Sequence, residues 1–106
     1  MKVSKLGEFK GGWFLGAFQP TLLAQPHFEV CIKRFRQGDT EPEHSQKLAT
    51  EWTVIISGRC LIGNLELEAD DIVEISPGEV AGFEALTDVV LVAVKSPSIP
   101  DDKVLQ

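Results

Sequence analysis

No stretch of ten or more residues in this chain keeps its apolar side chains on a helical period, while turn-forming residues recur along its length. That leaves strands as the elements to be packed. Residues 13–18 are short and aromatic, flanked by Gly11, Gly12 and Pro20. Residues 28–35 alternate, with Phe28, Val30 and Ile32 on one side and Glu29, Cys31 and Lys33 on the other. Residues 52–57 are rich in β-branched side chains and end at Gly58. Residues 60–62 and 65–67 flank Gly63-Asn64, a two-residue hairpin turn. Residues 72–75 stop at Pro77-Gly78, and residues 89–94 are apolar on both faces, as in a buried strand. Short strands separated by turns predict an all-β sandwich or barrel.

A chain of 106 residues supports one domain and no second core. The reading is a single domain over 1–106, with its core at about 28–95. The tail 96–106 (SPSIPDDKVLQ) lacks a period and is expected to pack loosely. An apolar content of 43% and a charged content of 25% argue against disorder. The net charge of -6 works against binding a phosphate backbone, so no nucleic-acid partner is expected. The charge is uneven: residues 1–50 carry seven basic and five acidic side chains, the rest three and eleven. A local basic spot could therefore receive an anion. Cys31 and Cys60 lie in apolar runs and form no CxxC pair, which fits a reducing compartment. The start MKVSKLGEFKGG has no apolar h-region, and no apolar run approaches the roughly 20 residues of a membrane span. The expectation is a cytoplasmic protein without a membrane partner.

One segment carries more information. From Gly38 there are five residues to His44, then Ser45 and Gln46, four residues to Glu51, and six to Gly58. This resembles the first cupin motif in every spacing, with Gln46 where that motif has its second histidine. The stretch from Asp71 through Pro77-Gly78 to Ala81 resembles the second motif, with Ala81 at its histidine position. The resemblance spans about residues 28–95 and is to small single-domain cupins. It implies an antiparallel β-barrel of the jelly-roll, or double-stranded β-helix, type. It implies no reaction, since one fold serves many chemistries.

In metal-bearing cupins the two motifs supply three histidines and a glutamate. Only His44 and Glu51 carry over here; an amide oxygen is a poor ligand for a transition metal, and Ala81 offers none. His27 is the one other histidine, so no three-histidine site can be built in one chain. No metal and no cofactor are expected. The expected pocket lies inside the barrel at His44, Gln46 and Glu51, with Arg34 near its mouth, Thr53 and Ile55 along the wall of Glu51, and room at Ala81. His44 and Gln46 share a face by strand periodicity. Trp52 and Val54 should pack behind. Trp13 and Phe14 read as core or dimer contacts rather than a sugar platform. Arg34 can also be a solvated strand end, and His44 and Glu51 can simply satisfy each other. The function expected is binding of a small polar or anionic molecule by a homodimer, with Trp13-Phe14-Leu15 at its interface. The alternatives are a metal-independent sugar or sugar-nucleotide isomerase or epimerase using His44 and Glu51, and, disfavoured by ligand count, a metal-dependent oxygenase.

Overall fold

The computed structural model describes residues 1–106. Two single-turn 3₁₀ segments, Leu6–Glu8 and Lys10–Gly12, precede ten strands. These are β1 (Trp13–Leu15), β2 (Glu29–Phe35), β3 (Thr40–Gln46), β4 (Thr50–Ser57) and β5 (Arg59–Ile62). There follow β6 (Leu65–Glu68), β7 (Ile72–Ile75), β8 (Ala81–Ala85), β9 (Val89–Ser96) and β10 (Lys103–Leu105). One five-stranded sheet has the order β1-β2-β9-β4-β7 and the other β10-β3-β8-β5-β6. Every pairing is antiparallel. No helix is long and apolar enough to cross a membrane.

Alternation divides each strand between the inside and the outside. On β4, Thr53 and Ile55 are buried, while Ile56 is exposed. The two sheets close at one end on Cys31, Ile55, Cys60, Ile62, Phe83, Ala85, Val89, Leu91 and Ala93. Phe35 leans on Phe83 with ring centroids 4.3 Å apart. Both thiols are free. Burial pushes the Cys31 thiol up to about 12 and raises that of Cys60 as well, so neither is a reactive nucleophile. Gly58, which ends the first motif, turns the chain from β4 into β5 at a φ of 88°. A Cβ there would meet the carbonyl oxygen of Asp88, so the turn admits no side chain without a shift.

The hairpin at Gly63-Asn64 joins β5 to β6 as the turn chemistry predicts. Three strands lie outside the expected set, β3, β8 and β10. The first strand is shorter than expected, ending at Leu15. The tail is also corrected. It does not lie loose: β10 pairs with β3, placing Lys103, Val104 and Leu105 opposite Gln46, Ser45 and His44. Asp102, 6% exposed, accepts hydrogen bonds from the backbone N–H groups of Leu48 (2.9 Å) and Ala49 (3.0 Å). Its own carbonyl accepts from Lys47 N–H at 2.9 Å. The tail thus ties the β3–β4 turn to the sheet.

Candidate functional site

The end of the barrel away from the closed core holds a cavity of about 190 Å³, open to solvent and lined from both sheets. Its floor is apolar, from Ile62, Phe83, Leu91 and Ala93. Its polar groups follow from the register. On one sheet Lys95 of β9 lies directly opposite Glu29 of β2 and Glu51 of β4. Residues opposite each other in a ladder point to the same face, so these three side chains form an acid–base–acid row across neighbouring strands. Lys95 Nζ stands 3.9 Å from Glu51 Oε1, and their side chains are 12% and 16% exposed. Thr53 Oγ1 donates to Glu51 Oε2 at 3.0 Å. Ser98 Oγ donates to Glu29 Oε1 at 3.2 Å. Further along β2, Lys33 bonds Glu41 of β3 at 3.1 Å. The Trp13 ring faces both lysines, with Nζ of Lys95 at 4.8 Å and of Lys33 at 5.9 Å from its centre.

The facing sheet supplies His44 and Gln46 from β3 and Ala81 from β8. His44 is the ladder partner of Ala81, so the small side chain leaves space beside the imidazole. His44 Nδ1 lies 3.0 Å from the carbonyl oxygen of Pro42. A carbonyl only accepts, so that contact assigns a proton to Nδ1 and leaves Nε2 as an acceptor in the neutral ring. Gln46 is 5% exposed. Its Nε2 is buried, and no protein atom accepts from it.

Five of the expected site residues therefore line one cavity: His44, Gln46, Glu51, Thr53 and Ala81. Two do not. Ile55 has the inward parity expected but is 0% exposed, one step deeper than Thr53 and inside the closed core. Arg34 points the other way. The inward residues of β2 are Glu29, Cys31 and Lys33, so Arg34 is exposed and borders an outer groove with Leu6 and Phe9. The cation inside is Lys33. Trp52 is half-buried on the outer face, where Nε1 donates to Glu74 Oε1 at 2.7 Å. His44 and Glu51 do not satisfy each other; Pro42 serves one, and Thr53 and Lys95 the other. Trp13 lines the cavity. Sequence reasoning missed Glu29 and Lys95 as site residues, and considered Lys33 only as a proton-transfer group for the isomerase alternative. The available signal was Lys95 itself, a charge two residues beyond Ala93 on the inward parity of an apolar strand.

Two antiparallel five-stranded sheets with the cavity between them decide the architecture. The chain has the cupin fold. A conserved double-stranded β-helix protein from Klebsiella pneumoniae, described as uncharacterized, superposes with a TM-score of 0.73 at 20% identity, over 98% of this chain and 90% of that one. KdgF from a Halomonas species gives 0.67 at 17% identity, over 73% and 76%. An oxalate oxidase in complex with the substrate analogue glycolate gives 0.64 at 20%, over 74% of this chain and 46% of that one. Identities this low establish a shared cupin fold and nothing of the reaction. No family model matches the chain, and no curated protein matches it in sequence.

The metal familiar from cupins does not fit these side chains. No group of three His, Cys, Asp or Glu residues is placed to hold an ion. At the positions the motifs point to, Glu51 is already bonded by Thr53 and faces the Lys95 ammonium. A divalent cation beside Glu51 would meet that like charge.

Glu29 gives the site a pH signature. Burial is the main cause that pushes its carboxyl above the ordinary value of 4.5; Lys95 and Ser98 pull it back, and Asp102 and Glu51 add to the rise. A raised acid binds its proton more tightly in the folded chain than in the unfolded one. Its contribution to stability is present at low pH and is lost as pH rises from 4.5 through the raised folded value. Glu29→Gln stays neutral throughout. Urea unfolding across this window should show the variant gaining on the parent protein and levelling off above it. A difference flat with pH would reject that assignment.

Proposed function

We propose that this cupin-fold domain binds a small polar molecule inside the barrel, between His44, Gln46 and Ala81 on one sheet and Glu51, Thr53 and Lys95 on the other. The observation that carries the reading is the Gln46 amide. A buried N–H donor with no partner costs free energy of about 1–3 kcal/mol, and native structures seldom leave one without a reason. A ligand acceptor atom entering the cavity supplies that partner. The apolar floor with a few polar groups above it is the usual composition of a small-molecule site. The isomerase reading needs Glu51 free for proton transfer, whereas Thr53 and Lys95 already engage it; binding needs no such freedom.

The test is positional. A thermal-shift screen of sugars, nucleotides and small acids should find compounds that raise the Tm of the parent protein. Ala81→Leu fills the space beside His44, and the shift should vanish in that variant while its own unfolding stays cooperative. A ligand whose shift survives both Ala81→Leu and His44→Ala binds elsewhere and overturns the proposal.

A further inference from the structure

The cavity's charges narrow the ligand class, an inference that rests on the binding reading above. Each of the two partly buried ammonium groups already faces a carboxylate. Lys33 is bonded to Glu41, and Lys95 stands between Glu29 and Glu51. Four carboxylates, those of Glu29, Glu41, Glu51 and Glu79, and three ammonium groups line the cavity, the third being that of Lys103, which is exposed. An anion entering beside Lys33 or Lys95, 24% and 12% exposed, competes with the protein carboxylates that already face them in a partly desolvated site. An entering amine meets the two ammonium groups instead. A neutral hydroxyl avoids both costs.

The remaining hydrogen-bonding capacity also matches hydroxyls. Gln46 Nε2 needs an acceptor. His44 Nε2, opposite the bonded Nδ1, accepts, and carboxylate oxygens keep lone pairs beyond those taken by Thr53 and Ser98. A carboxylate ligand can only accept. A hydroxyl both donates and accepts, so one kind of group satisfies every wall. The Trp13 ring and the apolar floor suit the C–H faces of the same molecule. A cavity of about 190 Å³ is of the scale of a compact ligand with several hydroxyls.

We infer that the cavity selects an uncharged polyhydroxy compound, a polyol or free monosaccharide, and discriminates against small carboxylates. Gln46 is its specificity-determining donor. Titration calorimetry with myo-inositol and D-xylose as neutral probes, malonate as the anionic probe and putrescine as the cationic one separates the classes. The expected result is binding of at least one neutral probe, with an affinity that changes little between low and high salt. Gln46→Leu, which removes the unpaired donor without leaving a hole, should weaken that probe roughly 3- to 10-fold and leave the fold cooperative. Malonate bound more tightly than both neutral probes, and blocked by Ala81→Leu, overturns the inference and leaves the interior binding site standing. The same holds for putrescine. If a neutral probe binds and Gln46→Leu does not weaken it, the role given to Gln46 is wrong. If no probe of any class binds, the polyol assignment falls.

Discussion

Ile55→Ala should destabilise the protein by about 2–5 kcal/mol, with Tm falling by at least roughly 8 °C. Ile55 is fully buried where the two sheets meet, among Cys31, Cys60 and Leu91. Removing three of its carbons takes away apolar transfer energy and leaves a void that a rigid antiparallel wall cannot collapse to fill. Its neighbour supplies the control. Ile56 is 51% exposed, and Ile56→Ala should stay within about 0.5 kcal/mol of the parent. Equilibrium urea unfolding of the two variants reads the difference directly. Equal losses would mean that β4 does not present alternate residues to the core, and the sheet register would be wrong.

Asp102→Ala is expected to cost roughly 2–4 kcal/mol. The carboxylate serves two backbone donors in the β3–β4 turn, and the bond to the Ala49 N–H is buried. Asp102→Asn keeps one acceptor oxygen and should lose distinctly less. Hydrogen exchange gives a local reading. The Ala49 amide should exchange much faster in Asp102→Ala, while the amides of β5 and β6 follow only the global loss. Protection at Ala49 unchanged from the parent would show that the tail does not hold this turn.

Legibility differed between the two sides of the barrel for a physical reason. Strands that build the closed core announce themselves. The β-branched run of β4, the apolar run of β9 and the Gly63-Asn64 turn are visible because burial in a dry core demands those residues. The cavity-lining strand β3 reads Thr-Glu-Pro-Glu-His-Ser-Gln, with no apolar alternation at all. Its inner face meets a polar cavity and its outer face meets solvent, so neither side selects for hydrophobes. Pro42 is tolerated there because the register shifts between Glu41 and His44, where the ladder skips a step. Motif spacing located the strand's cavity-lining residues where periodicity was silent.

The same cause inverted β2. Its alternation is plain, but its apolar residues Val30 and Ile32 lie outside, and Glu29 and Lys33 lie within. A period of two fixes which residues share a face and leaves open which face is the inner one. That choice depends on what fills the inside, and here it is ion pairs. Placing Arg34 at the cavity mouth follows from the rule that apolar side chains mark the interior, a rule that fails where the interior is a polar site. The orphaned amide of Gln46 is a property of packing, and no sequence pattern encodes it.

The strand order also bears on how the chain reaches this state during synthesis. Only β5 and β6 are joined by a tight hairpin. Strand β2 must wait for β9, and β3 for β10, so the first sheet is incomplete until β9 has left the ribosome and the second until β10 has. Until then β2 offers unpaired N–H and C=O groups beside Val30 and Ile32, a template for pairing with another nascent chain. The polar β3 is protected by its own composition, since Pro42, Glu41 and Glu43 discourage stacking. The side chains that make this strand hard to recognise are thus the ones that keep it out of trouble while it is alone.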